Sequence, residues 1–212
     1  MARTTNARSA AAASANDGTS RRPDVVTGVV VALLAASAVA VVIGTTLMPA
    51  SYSWVRHSVS EAVGQGVHDA WVTRLGFLLL GFAVLLLAGM AQPRWGPLAT
   101  LLFRVYGVSM IATAAFAHKP WRDVPFDVFE DVLHSVTASA IGVTFTFGVV
   151  LVALRRGREL SAAQAFDGFA VICALVISLM VTTAADLAGL AQRVMFAVGY
   201  TWFTLEAVRA TR

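Results

Sequence analysis

The chain has 212 residues, of which 58% are hydrophobic and only 13% are charged. This apolar share argues against an ordinary soluble domain and indicates an α-helical membrane protein. The net charge of +4 does not require a nucleic-acid partner. The arginines follow the positive-inside pattern of membrane proteins, and they do not interleave with an aromatic surface that could stack on bases. Cys173 is the single cysteine, which excludes an intrachain disulfide framework and a cysteine-rich zinc site.

Residues 1–24 are rich in Ala, Ser, Thr and Arg and contain no apolar run, so we expect a disordered cytoplasmic tail. The twin arginine Arg21–Arg22 raises a secretory signal as an alternative. The apolar run that follows, Val25–Leu47, is too long and too uniform for the core of a typical cleaved signal. The sequence therefore favours an uncleaved first helix.

Six apolar runs of about twenty residues follow the tail, and each is long enough to cross roughly 30 Å of hydrocarbon as a helix. We therefore predict an all-α, polytopic membrane bundle of six transmembrane helices over residues 25–208. Its loops are short, so any site must be built from helix ends and short connections. The predicted spans are Val25–Leu47, Trp71–Ala91, Leu98–Ala117, Val132–Leu154, Phe166–Ala185 and Leu190–Ala207.

Charge bias orients the predicted bundle. With the N-terminus inside, most arginines fall on the inner side, which favours a cell-membrane protein with both termini in the cytoplasm. The histidines and most acidic residues then lie on the outer side, so the ionisable chemistry is one-sided. The four histidines are His57, His68, His118 and His134.

The segment SYSWVRHSVSEAVGQGVHDAW, residues 51–71, is unusually polar for this chain. Its apolar residues follow helical spacing, which predicts a short amphipathic outer helix between the first and second spans. On that helix His57 and Glu61 are i, i+4 neighbours, able to hydrogen-bond or to reach one ligand. A carboxylate beside an imidazole suits general-base chemistry, but such pairs are common on amphipathic helices, and a structural role is preferred.

A second polar cluster, HKPWRDVPFDVFEDVLHS, covers residues 118–135. Asp127 and Glu130 resemble a capping box at the start of the fourth helix. His134 is expected about one turn inside the span, with Asp131 three residues before it. Because an ionisable residue is costly to place in lipid, His134 should face the bundle interior and is the leading candidate for a functional residue.

Asp186 and Arg193 bracket the short connection between the fifth and sixth spans, where they could pair with each other or complete the outer cluster. Three separate outer segments thus offer ligands to one pocket, enough for zinc with a bound water. No tight ligand motif such as H-E-x-x-H occurs, so the metal signal is weak and no cofactor is indicated. The candidate outer binding cluster is His57, Ser60, Glu61, Asp131, His134 and Asp186.

Two features inside the spans have structural explanations. Arg104 is expected to snorkel to the inner headgroups or to pair with Asp167. A stripe of small residues on the fourth span favours close helix packing over a ligand groove. The stripe consists of Ser135, Ser139, Gly142 and Thr146.

Two stretches resemble the signatures of a known family. SVSEAVGQGVHDAWVTRLGFLLLG, residues 58–81, resembles a Ser-x-Ser-Glu-x-Gly segment that leads into the second helix. FAHKPWRDVPFDVFEDVLHSVTASAIGVTF, residues 116–145, is similar to a Phe-Pro-x-Asp-Pro-like loop followed by a helix-initial histidine.

The family is the domain of unknown function 998 family, six-helix integral membrane proteins of bacteria and archaea. The resemblance covers nearly the whole chain after the tail, and Ser60, Glu61, Pro120 and His134 match its pattern. Lys119 precedes Pro120 where the family often has Asp-Pro. What the resemblance implies is an integral membrane fold, without an activity to transfer.

Two classes of function fit these observations. The favoured one is a non-catalytic binding, sensing or accessory bundle whose partners are the bilayer and a lipid headgroup or small molecule. The alternative is a membrane-embedded enzyme or lipid-handling protein at the outer face, for instance a metal-dependent hydrolase. Transport is disfavoured because no acidic residue lies mid-membrane and no paired broken helices are evident. Convergence of His57, Glu61 and His134 in one cleft would favour the enzyme.

Overall fold

The computed structural model describes residues 3–157 and 161–210, and within them the side chains of residues 3–24, 181 and 182 are left out of the description. The described part is all helical, with no strand. Its elements in chain order are α1 (Arg3–Thr46), a 3-10 helix (Val59–Val63), α2 (Ala70–Met90), α3 (Gln92–Trp95), α4 (Pro97–Ala115), α5 (Val128–Arg155), α6 (Ala162–Thr183), a second 3-10 helix (Ala185–Leu187) and α7 (Ala188–Arg209).

Within the described residues, five helical segments are long and apolar enough to cross a membrane. The chain is therefore a helical protein with several membrane-spanning helices, as its composition indicates. The predicted sixth span, Leu190–Ala207, falls in α7, which is not one of the five, so six spans are not confirmed. The five are Val25–Thr46, Ala70–Met90, Pro97–Ala115, Val128–Arg155 and Ala162–Met180.

The long helices form a closed ring. Each packs against the next in the order α1, α2, α4, α5, α6 and α7, and α7 returns to contact α1. Small residues allow the closest approaches, as expected where membrane helices associate by packing. A Cβ atom added to Gly81 of α2 would lie 2.7 Å from the carbonyl oxygen of Gly107 on α4.

The ring has two chemically different ends. We call the end formed by residues 47–69, residues 116–127 and the start of α7 the histidine end. We call the end formed by α3, residues 156 and 157 and the end of α7 the arginine end. Near the arginine end, aromatic rings fill the core, with centroids 4.6 Å apart for Trp95 and Phe103 and 5.0 Å apart for Phe103 and Trp202.

The amphipathic outer helix forms only in small part. Residues 51–69, which we call the strap, consist of turns with one short 3-10 helix at Val59–Val63. Its buried residues face the bundle rather than a membrane surface. Helical spacing was misleading here, because long-range contacts fix the strap in turns.

The first helix begins before its apolar run, since the backbone is helical from Arg3. Residues 1 and 2 lie outside the described part, as do the side chains of residues 3–24. The disordered tail over residues 1–24 and the domain boundary at residue 25 therefore stay predictions.

Candidate functional site

Arg193 of α7 holds the strap against the bundle. Its Nη1 donates to the carbonyl oxygens of Trp54 at 2.8 Å and His57 at 3.0 Å, and its Nη2 donates to the hydroxyl of Tyr52 at 2.9 Å. The guanidinium carbon also lies 4.8 Å from the centre of the Trp54 ring. Arg193 therefore contacts the strap, mainly its backbone, and the predicted partner Asp186 is exposed.

A glycine at the start of α7 makes this contact close. A Cβ atom added to Gly189 would lie 2.3 Å from the carbonyl oxygen of His57 and 2.6 Å from that of Trp54. Because those are backbone atoms, they cannot move aside cheaply. The strap therefore packs directly against the backbone of α7 at Gly189.

His57 packs among aromatic rings rather than beside a carboxylate. Its ring centre lies 5.3 Å from that of Tyr52 and 6.3 Å from that of Trp121. Its Nδ1 and the Nε1 of Trp121 are buried without a hydrogen-bond partner. Burial raises the pKa of the Tyr52 phenol above its ordinary value, and the Arg193 guanidinium offsets part of that rise.

Glu61 is occupied by a capping box. Its carboxylate accepts from the backbone N–H of Ser58, and the Ser58 hydroxyl accepts from the N–H of Glu61 at 3.3 Å. The S-x-x-E pattern at residues 58–61 is the sequence signature of this motif. The i, i+4 pairing of His57 with Glu61 fails because residues 57–61 are not an α-helix.

His134 is buried in the bundle, as expected for an ionisable residue inside a span, with a residue exposure of 1%. Its Nδ1 lies 2.9 Å from the carbonyl oxygen of Phe116, and its ring centre is 5.1 Å from that of His118. Its Nε2 has no hydrogen-bond partner. The neighbours of His134 are thus a backbone carbonyl and a second imidazole.

The acidic residues around His134 hold loop backbone. Asp131 Oδ1 accepts from the N–H of Lys119 at 2.7 Å, and Glu130 Oε1 accepts from the N–H of Ala117 at 2.8 Å. Asp127 caps α5 through its own carboxylate, but its N–H donates to Gln65 rather than to Glu130. The predicted capping box therefore does not form. The Asp127 carboxylate caps α5, and the Asp127 N–H contacts Gln65 of the strap.

Five of the six candidate residues contact different groups, and the sixth, Asp186, is exposed. His57 lies among aromatic rings, Glu61 caps a 3-10 helix, and His134 bonds to loop backbone. Among the described residues, no group of three or more His, Cys, Asp or Glu side chains is arranged to hold a metal ion. Among the hydrogen bonds and ring contacts of the described residues, none joins His57, Glu61 and His134 to one another.

Ser60 has a different position from the other candidates. It borders an apolar cavity of about 80 Å³ in the centre of the bundle, which we call the central cavity. Gln192 closes the same end, accepting from the N–H of Val59 at 2.6 Å and donating to the Ser60 hydroxyl at 3.3 Å. The strap thus roofs the central cavity.

The walls of the central cavity come from α2, α4, α5, α6 and α7 and are mostly apolar. Gly142 of the small-residue stripe lies in this wall, and a Cβ atom added there would meet nothing within 4 Å. The packing interpretation is therefore wrong for Gly142, and Ser135 and Ser139 of the same stripe are exposed. Representative wall residues are Phe77, Leu80, Tyr106, Phe145, Phe196 and Tyr200.

The arginine end carries a buried ion network that the sequence did not indicate. Glu206 accepts from Trp95 Nε1 at 2.8 Å and from Arg209 at 2.8 Å, and it also binds Arg156. Arg156 Nε lies 3.3 Å from Asp167, to which Trp202 Nε1 donates at 2.8 Å.

The exposures of Asp167 and Glu206 are 0% and 2%, so the two acids are buried within this network. Asp167 contacts Arg156 instead of the proposed partner Arg104, which is exposed. One feature of the sequence points to this network: the acidic residue Glu206 lies four residues after Trp202 in a mostly apolar helix.

Comparison with protein families agrees with this architecture. A family model described as a protein of unknown function, DUF998, matches residues 29–209. The chain belongs to the DUF998 family. No curated protein and no solved structure matches the chain. Membership brings no specific activity, because the family is described only as a protein of unknown function.

Proposed function

We propose that this chain is a non-catalytic membrane bundle that binds the end of an apolar chain, such as a lipid acyl chain, in its central cavity. The observation that carries the proposal is the cavity itself, a partly open and mostly apolar space among five helices with a few polar groups at its wall. Concave, mostly apolar spaces with few convergent polar groups are the usual form of small-molecule sites.

The size of the central cavity limits its occupant. Its volume of about 80 Å³ corresponds to about five to eight water-sized spaces. That room suits the end of one hydrocarbon chain rather than a whole lipid. The remainder of such a ligand would lie outside the cavity wall.

Polar groups in the wall favour a ligand that carries one polar atom. The Tyr200 hydroxyl already pairs with Ser37 Oγ at 2.7 Å, and the Thr113 hydroxyl donates to Thr137. The Tyr106 hydroxyl makes no hydrogen bond to another described residue, although Tyr106 is only 6% exposed. Because Tyr106 lines the cavity, its hydroxyl is placed to form a hydrogen bond with an oxygen atom of the ligand.

The contacts at the histidine end support a binding role over a catalytic one. Glu61, Glu130 and Asp131 each accept hydrogen bonds from loop backbone. A carboxylate fixed in this way shapes a loop and is poorly placed to exchange protons with a substrate. We assign these residues to holding the strap and the loop before α5 over the cavity.

We further propose that α7 is a sixth span, that the protein resides in the cell membrane and that both termini are cytoplasmic. The 22 residues of α7 extend about 33 Å, at about 1.5 Å per residue. Gln192 near its start contacts the strap, and Glu206 near its end contacts α3. The arginine bias supports an orientation with the arginine end in the cytoplasm.

Photolabelling tests the proposed ligand. The full-length protein, in mild detergent, is exposed to a fatty acid that carries a terminal diazirine, and labelled peptides are mapped by mass spectrometry. We expect label on wall residues of the central cavity. Gly142→Leu fills that space, so labelling there should fall by about tenfold, the effect of losing roughly 1.4 kcal/mol of binding free energy.

Gly89→Leu is the matched control because Gly89 is exposed on α2 and a Cβ there meets nothing within 4 Å. Its labelling should equal that of the unchanged protein. Label confined to lipid-facing residues, or equal labelling of the Gly142→Leu and Gly89→Leu variants, would refute the proposal.

The enzyme alternative gains no specific support from the geometry, and the same preparation tests it. Release of fatty acid or headgroup from lipid vesicles, lost in a folded His134→Ala variant, would establish catalysis and overturn the non-catalytic assignment. Elemental analysis of the purified protein would reveal a stoichiometric metal if that activity were metal-dependent.

A further inference from the structure

A second cavity, of about 240 Å³, opens at the arginine end of the bundle. We call it the arginine pocket. It lies where α3, the end of α5 and the end of α7 meet, far along the chain from the strap. Its lining consists of Arg94, Trp95, Val152, Arg155, Arg156 and Glu206.

The arginine pocket has more positive than negative charge. Glu206 supplies the only carboxylate in this lining, and it is already bound by Arg156, Arg209 and Trp95. Within the described residues, Arg94 and Arg155 have no carboxylate partner. Two guanidinium groups without a described carboxylate partner therefore line this cavity, beside the apolar side chains of Trp95 and Val152.

The backbone beside the pocket fixes one of these groups. Gly96, between α3 and α4, has a φ of 78°, a left-handed conformation that favours glycine. A Cβ atom added to Gly96 would lie 3.0 Å from Nη1 of Arg155. The bare backbone thus makes room for the Arg155 guanidinium to lie against the end of α3.

We propose that the arginine pocket binds a phosphate group. A guanidinium offers a planar fork of N–H donors that matches phosphate oxygens, and pairs of this kind are stronger than neutral hydrogen bonds. Basic pockets between membrane helices recognise phosphorylated headgroups in the same way. If these arginines only set the orientation of the protein in the membrane, they would not need to line the same cavity. This site is separate from the central cavity and stands or falls independently of it.

Native mass spectrometry of the full-length protein in detergent tests the site. The probes are dioleoyl phosphatidic acid, which exposes a phosphate monoester, and dioleoyl phosphatidylcholine, whose phosphate is masked by choline. We expect retention of phosphatidic acid over phosphatidylcholine. Arg155→Gln should weaken that retention by about tenfold or more, as expected for the loss of a charge-assisted hydrogen-bond pair.

Arg104→Gln is the matched control, because it removes one exposed positive charge on α4 outside the pocket. It should leave retention unchanged. Arg94→Gln provides a second pocket variant if Arg155→Gln fails to fold. Equal retention of both lipids, or equal losses in the pocket and control variants, would overturn the proposal in favour of general charge attraction.

Competition identifies the source of the phosphate. Millimolar inorganic phosphate is added to the unchanged protein and to the Arg155→Gln variant, each with phosphatidic acid bound. If phosphate displaces the lipid from the unchanged protein but not the weakly bound lipid from the variant, the pocket serves a soluble phosphate compound. If inorganic phosphate leaves the lipid bound, the pocket serves a phospholipid headgroup. Both results support a phosphate site and separate its two possible occupants.

Discussion

At the scale of single residues, Arg193 makes the largest set of contacts at the histidine end. Its guanidinium reaches two carbonyls of the strap and the hydroxyl of Tyr52, and it lies over the ring of Trp54. A planar fork with five donors can make these contacts together, whereas a lysine ammonium cannot. We infer that this one side chain determines how firmly the strap is held.

Arg193→Lys should therefore lower the thermal unfolding midpoint of the detergent-solubilised protein. The variant keeps the charge but loses two or more charge-assisted hydrogen bonds, a loss of about 3 kcal/mol or more. Intrinsic tryptophan fluorescence during heating measures it. Arg56→Lys is the control, because Arg56 is exposed on the same strap. Equal midpoints for the two variants would contradict the assignment.

The sequence predicted some residue positions and missed others for identifiable reasons. Burial of His134 followed from its place inside an apolar run, because an ionisable side chain avoids lipid. The partner of Glu61 could have been found from the S-x-x-E pattern. The ring neighbours of His57 could not, because Trp121 approaches from a loop more than sixty residues away.

At the scale of elements, apolar run length located the helices well. Four predicted spans agree closely with α2, α4, α5 and α6 in the structure, because about twenty apolar residues in a row have few other stable forms in a membrane. The strap was predicted poorly, since its turns depend on Arg193 and Gln192 from α7. Local periodicity carries no information about contacts of that range.

The orientation of α7 is the element-level prediction. If α7 is a sixth span, the C-terminus lies on the same side as the N-terminus, and the arginine bias makes that side cytoplasmic. A green fluorescent protein fused after Arg212 should fluoresce, while alkaline phosphatase fused at the same point should be inactive. Fusion of each reporter after Ala91, which ends α2 at the same end of the bundle, is the internal control.

The opposite reporter pattern at Arg212 alone would mean that α7 does not cross the membrane. The ring would then hold five spans, and the contact of Glu206 with α3 would have to form differently in the membrane. Reversal at both fusion points would instead invert the whole bundle.

At the scale of the whole molecule, the buried ions at the arginine end join three regions of the chain. Asp167 lies in α6, Glu206 in α7, and Arg156 follows α5. Local patterns do not predict the contacts between these three residues, because Arg156, Asp167 and Glu206 lie in different segments of the chain. The network and the strap close the ring of helices at opposite ends, so the ring depends on both.

Removal of one buried carboxylate should therefore weaken the whole bundle. In Glu206→Gln, Arg209 loses its carboxylate partner and Arg156 keeps only Asp167. A buried charge without its partner costs about 3–5 kcal/mol. We expect a large fall in the thermal unfolding midpoint, whereas Asp186→Asn, which removes an exposed acid, should leave it nearly unchanged.

Two further measurements separate a buried network from surface charge. The fall in the thermal unfolding midpoint caused by Glu206→Gln should be the same at about 0.05 M and about 0.5 M sodium chloride, because salt screens buried pairs weakly.

Adding Arg209→Gln to Glu206→Gln should restore part of the lost stability, since it removes one of the arginines that lack a carboxylate partner. The coupling free energy follows from the double-mutant cycle. A loss that vanishes in high salt, or two substitutions whose effects simply add, would mean that these residues do not act as one network that fastens α6 and α7 to the rest of the ring.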